Sequence, residues 1–205
     1  MSTNEDQLKI PAGCSEPTTH SPGPFQKAIW LIIILIISLL IYVPSIRRVL
    51  FTSPNSIIGI YVSNMPIIFV SLFIVLLPSL LFHEKAHQIA SSSMGYESVI
   101  LYSPIYHFNE PFNYIVDSWV PEKEYNIILI APLVFVNFVM SSILITSPFE
   151  IIDILATTFL IVNTATSSND IRMLLLNLYT SDRSMIRHQV EDNSLVVYRC
   201  AKNNR

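Results

Sequence analysis

The stretch "LLPSLLFHEKAHQIASSSMGYESV", residues 76–99, ends an apolar run with two histidines, a glutamate and a lysine. Charged groups near lipid are costly unless they face a protein interior, a water-filled cavity or a metal ion. On a helix, positions i and i+4 share one face, so His83 and His87 can reach the same ion. The His-Glu-x-x-His pattern therefore predicts a metal site at the end of an apolar helix.

The residue between these histidines adds a catalytic function to the predicted site. Glu84 directly follows the first histidine, where its carboxylate can act as a general base toward a water at the metal. Imidazole ligands suit zinc, which makes water nucleophilic near neutral pH. The alternative is a polar helix end whose histidines and lysine lie among lipid headgroups. We favour Zn²⁺ held by His83 and His87, with Glu84 as the catalytic residue.

The composition indicates a membrane protein. Of 205 residues, 51% are hydrophobic and only 13% are charged, and the mean hydropathy is +0.50. Soluble proteins carry roughly 25% charged residues. The net charge of −3 and the absence of a basic stripe argue against nucleic acid as a partner. Cys14 and Cys200 lie in polar terminal segments outside any CxxC motif, so they suggest neither a disulfide framework nor a thiolate zinc site.

Four segments have the length and composition of transmembrane helices, which need about 20 apolar residues. They are residues 28–46, 64–82, 125–146 and 151–178. Between the second and third, residues 96–120 are rich in aromatic and β-branched residues, with turn residues at Asn109-Glu110-Pro111, and predict a β-hairpin. The predicted fold class is thus mainly α, a membrane protein with about four transmembrane helices and a small hairpin.

The chain divides into three predicted regions. Residues 1–27 are expected to be a disordered polar tail, residues 28–180 the four-helix transmembrane domain that carries the metal site, and residues 181–205 a C-terminal tail with one short strand in "NSLVVYRC". Arginine and lysine favour the cytoplasmic side and are frequent in the last region. We therefore expect a multi-pass protein with cytoplasmic termini, although Arg47-Arg48 would then lie outside.

A catalytic zinc site normally has three protein ligands, and depth in the membrane suggests the third. His83 lies about 28 Å along the second span from Asn64, and Asp170 lies about 28 Å along the fourth span from Ile151. Both spans run in the same direction, so both side chains are expected at the cytoplasmic depth. Asp170 is the predicted third ligand. The alternative is a helix-end carboxylate paired with a nearby arginine or lysine.

Further polar residues are weaker candidates for the site. Asn163 lies two helical turns before Asp170 on the same face, and is a possible oxyanion or substrate contact. Asparagines in membrane helices also often bridge helices. Less suitable metal ligands are Glu150, Asp153, Asp117 and His107.

Three motifs together resemble a known family. They are HEKAH followed by Gly95, the segment "VPEKEYNIILIAPLVFV" (120–136), and "NTATSSNDI" (163–171). Over residues 64–178 the chain resembles the membrane zincin peptidases, relatives of the site-2 protease group of intramembrane zinc metalloproteases. Site-2 proteases carry their third ligand in an Asp-Gly motif, whereas Ile171 follows the aspartate here.

The resemblance implies hydrolysis of peptide bonds in membrane or membrane-proximal proteins. It also implies a hairpin edge that holds an extended substrate by β-addition, with a lid or a membrane-surface hairpin as the alternative. Expected partners are a protein or peptide substrate and the lipid bilayer.

Other functions fit the sequence less well. A membrane di-iron oxygenase needs more histidine clusters than the five histidines of this chain supply. Few polar residues in the first and third spans and the lack of an internal repeat argue against a transporter. A non-catalytic membrane protein that binds a metal or a partner is the remaining alternative. Glu84 favours catalysis, because a purely structural site has no use for a carboxylate at that position.

Overall fold

The computed structural model describes a helical core with two small sheets. The residues it describes are 11, 14, 18–19, 26, 28–36, 57–105, 108–178, 184–191 and 194–201. In chain order its elements are β1 (Thr18–Thr19), α1 (residues 28–36), α2 (Ile57–Ser93), β2 (Ser98–Ile105), β3 (Phe108–Ile115), β4 (Val120–Pro121), α3 (Glu122–Thr146), α4 (Glu150–Thr166), α5 (Ser168–Leu178), β5 (Ser184–Glu191) and β6 (Ser194–Ala201).

Helices α2, α3 and α4 pack against one another around two apolar clusters. The first lies between these helices and contains Val75, Ala86, Val136, Phe159 and Val162. The second joins the helices to both sheets and contains Ile115, Val120, Tyr125, Ile128, Leu129, Met173 and Ile186. Ala86 of the HEKAH box belongs to the first cluster and His87 contacts Ile128 of the second, so the box lies where the two clusters meet.

Helix α2 ends at Ser93, and Gly95 then turns the chain into the hairpin. Gly95 has a φ of +87°, a backbone conformation that L side chains rarely adopt. The backbone N–H groups of Met94 and Tyr96 both donate to the carbonyl of Ser91, at 3.1 and 3.0 Å. This arrangement satisfies a helix-terminal carbonyl and directs the chain back toward α2.

The hairpin lies between α2 and α3, as predicted. Strands β2 and β3 are antiparallel, with Ser98 opposite Ile115 and Tyr102 opposite Pro111. The predicted turn residues 109–111 belong instead to β3, and the connection falls at residues 106–107, outside the described part of the chain. The backbone N–H of Asn113 points away from β2, toward Glu84. Pro111, two residues earlier, has its nitrogen on the same side of the strand. A proline fits there because no hydrogen bond to β2 is lost.

The two ends of the chain meet in a second sheet with the strand order β1-β6-β5-β4. The C-terminal segment, predicted as a tail with one strand, forms the β5–β6 hairpin. The described part of residues 1–27, predicted as a disordered tail, includes β1, which pairs with β6. A disulfide joins Cys14 to Cys200, a pairing that the cysteine spacing did not suggest.

The prediction of four transmembrane helices is wrong. Among the described residues, only α3 is long and apolar enough to cross a membrane by itself. The predicted fourth span is two helices, α4 and α5, which could form a second span only as a pair bent by 45°. At the break, the backbone N–H of Ser167 keeps its helical bond to the Asn163 carbonyl at 3.0 Å, and the Ser167 hydroxyl also donates to that carbonyl at 2.9 Å, a contact that often bends helices.

The first two predicted spans fall on helices α1 and α2. Helix α1 is described over residues 28–36. The remainder of the predicted first span lies outside the described residues. The second, residues 64–82, is an inner part of the longer helix α2.

Candidate metal centre

Helix α2 brings two buried imidazoles together. His83 and His87 lie one helical turn apart, are 4% and 7% exposed, and have ring centroids 4.9 Å apart. The ligand-capable atoms of His83, Glu84 and His87 all lie within 4.8 Å of one another. Buried imidazoles at this spacing need polar partners or a metal, because unsatisfied polar groups are costly inside a protein.

The carboxylate of Asp170 lies against both histidines. Its Oδ2 is 3.0 Å from Nε2 of His83 and 3.4 Å from Nε2 of His87. Neighbouring ligand atoms around a tetrahedral zinc with bonds of 2.0–2.1 Å are separated by about 3.3 Å. Two imidazoles and a carboxylate are also a donor set that zinc takes in catalytic sites. The chemistry and spacing of these side chains therefore fit one zinc ion.

Helix α3 holds His87 through a backbone carbonyl. Nδ1 of His87 lies 2.7 Å from the carbonyl oxygen of Ile128. A carbonyl oxygen can only accept, so Nδ1 must carry the hydrogen of this bond. Nε2 then faces Asp170 and is the atom that a metal would bind.

Asn163 holds His83 in the corresponding way. Its side chain is fully buried, and Nδ2 donates to the Pro132 carbonyl at 3.2 Å and to Oδ1 of Asn137 at 2.9 Å. The Pro132 carbonyl can only accept, which fixes the orientation of the amide and places Oδ1 3.2 Å from Nδ1 of His83. Both Nδ2 hydrogens are thus committed, and the amide orients His83 instead of facing a substrate.

Glu84 is connected to the hairpin. Its Oε2 accepts a 2.6 Å hydrogen bond from the backbone N–H of Asn113 in β3. The Asn113 side chain also donates to Oγ of Ser91, at 3.3 Å, and Gln88 donates to the Ser98 carbonyl at 2.8 Å. These bonds fix the hairpin beside the histidines, with one edge of β3 facing Glu84.

A second titratable pair lies next to the centre. His188, on β5, places Nε2 2.9 Å from the hydroxyl of Tyr125, on α3. Burial, together with the positive charge that His87 can carry, lowers the pKa of His188 to about 4. Sequence reasoning missed this pair because its members are 63 residues apart and neither belongs to a motif.

The structure separates Asp117 and Asp153, two other sequence candidates, from the centre. Asp117 pairs with Arg187 at 3.1 Å. Asp153 lies ten residues before Asn163, roughly 15 Å along α4. Arg172, a possible alternative partner for Asp170, donates to Oδ1 of Asn169 at 3.4 Å instead. His107 lies outside the described residues, and the side chain of Glu150 is not described.

Comparison with known proteins agrees with the chemistry of this centre. The family model described as "Putative zincin peptidase" matches residues 76–185, more than half of the chain, and the chain belongs to this family. The match runs from the HEKAH helix through α5 to the start of β5. No curated protein and no solved structure matches the chain. The predicted zincin family is confirmed, while kinship to the site-2 proteases stays a prediction.

The family and the histidine cluster together indicate a zinc peptidase. Membership in a zincin family implies zinc, and the structure contains a buried set of side chains that can hold it. The assignment of individual residues to roles rests on the geometry above and is developed below.

Proposed function

We propose that this protein is a membrane-embedded zinc metallopeptidase that hydrolyses peptide bonds of membrane or membrane-proximal proteins. One observation carries the proposal: a single carboxylate oxygen of Asp170 contacts Nε2 of both His83 and His87. His83 and His87 lie on α2 and Asp170 lies on α5, 87 residues after His83. Together with Glu84, they form the ligands and the base of a peptidase centre.

The roles of the residues follow from their positions. His83, His87 and Asp170 would hold zinc, which when bound supplies Lewis acidity and makes a water nucleophilic near neutral pH. Glu84 would accept the proton of that water and deliver it to the leaving nitrogen. Its hydrogen bond to the Asn113 backbone holds the carboxylate at the edge of the site, where a substrate would arrive.

The surface of the helices supports membrane embedding. Large apolar side chains are widely exposed on α2 and α3, among them Phe73 (66%), Phe138 (71%) and Ile145 (83%). Exposed apolar patches of this kind mark contact with lipid or with another protein. Helix α3 also has the length and hydropathy of a membrane span. We therefore place this surface in lipid.

The position of β3 supports a peptide substrate. The backbone N–H of Asn113 points away from β2 and toward Glu84, so the edge of β3 that pairs with no other strand among the described residues faces the centre. A peptide that adds to this edge in extended form would bring its backbone next to Glu84. This supports protein or peptide substrates bound by β-addition.

The proposal is tested first by metal content. Elemental analysis of the detergent-purified protein should find about one zinc per chain, because the donor set completes a three-ligand site. His83→Ala should lose the zinc and Asp170→Ala should bind it more weakly, while Glu84→Gln should retain it. A folded wild-type protein that takes up no zinc, even when zinc is supplied, would exclude the proposal.

Activity is tested on the same variants with fluorogenic casein and a lipid-inserted peptide. Glu84→Gln should lower the turnover of zinc-loaded protein by about 100- to 10,000-fold, the usual contribution of general acid–base catalysis. Equal turnover in Glu84→Gln and wild type would assign catalysis elsewhere. Zinc binding without any turnover by the wild type would favour the non-catalytic alternative.

A further inference from the structure

A proline lies in the middle of α3, directly behind the metal centre. Pro132 is buried and lies inside the helix, ten residues from its first residue. Proline has no backbone N–H, so the carbonyl four residues earlier loses its helical donor. That carbonyl belongs to Ile128. In an uninterrupted helix, an N–H at position 132 would bond to it.

The carbonyl released in this way is the one that holds His87. The Ile128 oxygen lies 2.7 Å from Nδ1 of His87, a short distance for a hydrogen bond from nitrogen to oxygen. With an N–H at position 132, this oxygen would be shared between the helix and the imidazole. Because Pro132 has no N–H, His87 does not compete with a helical hydrogen bond for the Ile128 carbonyl.

The carbonyl of Pro132 itself contributes to the other histidine. It accepts a 3.2 Å hydrogen bond from Nδ2 of Asn163, and Oδ1 of Asn163 lies 3.2 Å from Nδ1 of His83. Proline inside a helix generally turns nearby carbonyls away from the helix axis, where side chains can reach them. One residue of α3 is thus connected to both imidazoles through their Nδ1 atoms.

We propose that Pro132 is a positioning residue that fixes both metal histidines with Nδ1 protonated and Nε2 directed at the metal. It acts on His87 through the Ile128 carbonyl and on His83 through Asn163. The inference rests on the proposed zinc centre for its functional meaning. Partners of this kind fix the tautomer and orientation of a ligand, and their loss typically weakens metal binding 10- to 100-fold.

The test restores the missing hydrogen. Pro132→Ala supplies an N–H that competes with His87 for the Ile128 carbonyl, so we expect zinc affinity to fall about 10- to 100-fold. Affinity is measured on the full-length protein in detergent by competition with a fluorescent zinc chelator. Pro78→Ala is the matched control, because Pro78 also lies inside a helix but is exposed and its variant should keep wild-type affinity.

A second substitution separates the missing N–H from the proline ring. The α-hydroxy acid analogue of alanine at position 132 forms an ester, which has neither an N–H nor a ring. This protein should bind zinc like the wild type. Zinc affinity of Pro132→Ala within twofold of wild type, or an ester variant as weak as Pro132→Ala, would overturn the proposal.

A measurement on metal-free protein makes the inference independent of zinc binding. With ¹⁵N-labelled histidine, the Nδ1 proton of His87 should exchange slowly with water in the wild type and rapidly in Pro132→Ala. Equal exchange in both proteins contradicts the positioning role. A wild type that shows the protected proton but binds no zinc would refute the proposed function and leave the positioning role intact.

Discussion

At the scale of single residues, His83 has a partner on each ring nitrogen. Asn163 contacts Nδ1 and the carboxylate of Asp170 contacts Nε2, so the imidazole is held from both sides. His87 has the same arrangement, with a backbone carbonyl in place of the asparagine. Satisfying both nitrogens offsets the cost of burying the rings and leaves little freedom of orientation.

His188 should make the stability of the protein depend on pH. Its folded-state pKa of about 4 lies below the usual value of 6.5, so the unfolded chain binds more protons between these values. The free energy of unfolding should therefore fall by roughly 3 kcal/mol as the pH drops from about 6.5 to about 4. Denaturant unfolding at several pH values measures this.

The control for this expectation is His188→Gln, which keeps a polar side chain near Tyr125 without an imidazole. Its free energy of unfolding should vary less over the same pH range. An identical pH dependence in variant and wild type would show that other groups, not His188, control acid stability.

At the scale of elements, the break between α4 and α5 positions the carboxylate of the centre. The Ser167 hydroxyl also donates to the Asn163 carbonyl where α4 ends, and the chain continues as α5 with Asp170 in its first turn. A helix N-terminus stabilises a negative charge, so this is a favourable place for an aspartate. The bend lets Asn163 and Asp170 approach His83 from two different directions.

A buried ion pair connects the C-terminal hairpin to α3. Arg199 of β6 donates to Glu122, the first residue of α3, and both side chains are under 10% exposed. Arg199→Met should lower the free energy of unfolding by about 3–5 kcal/mol, because Glu122 would be left as a buried charge without this partner. Thermal or denaturant unfolding in detergent measures the loss.

The double variant Arg199→Met with Glu122→Met tests the cause of that loss. Removing both charges should recover most of the stability, since a well-packed apolar pair replaces a buried ion pair at little cost. If the double variant is less stable than the single one, the loss comes from packing or from the Asn177 contact of Arg199 instead.

At the scale of the whole molecule, the two ends of the chain close on each other. Strand β1 pairs with β6, and the disulfide between Cys14 and Cys200 lies beside this pairing. Residues 14–19 and 198–200 therefore lie on the same side of any membrane that the helices cross. Disulfides persist in oxidising compartments, which opposes the cytoplasmic placement predicted from arginine and lysine.

We expect this disulfide to be formed in cells and to stabilise the fold. Cys14→Ser should lower the free energy of unfolding by about 2–5 kcal/mol, because the bond closes a loop of nearly the whole chain. Cells are quenched in acid and dissolved in denaturant, and alkylation with a maleimide–polymer, before and after reduction, then reports the state of the pair. Modification of both cysteines without reduction would contradict this expectation and restore the cytoplasmic placement.

The sequence by itself determined the local features of this protein. Helical periodicity is enough to place His83 and His87 on one face with Glu84 beside them, and strand composition is enough to locate the hairpin. Depth along the helices also selected Asp170, although through a four-span arrangement that the structure does not have. The zincin family followed from the same motifs.

Only the tertiary structure decided how these parts meet. The number of spans depended on the break at Ser167, which lies inside the polar run of residues 163–170, where composition alone did not distinguish one bent helix from one straight span. The contacts of the two imidazoles, through the Ile128 carbonyl and Asn163, join residues 41 and 80 positions apart. The disulfide joins residues 186 apart. Such contacts depend on the packing of distant segments, whereas sequence periodicity reports only neighbours on one element.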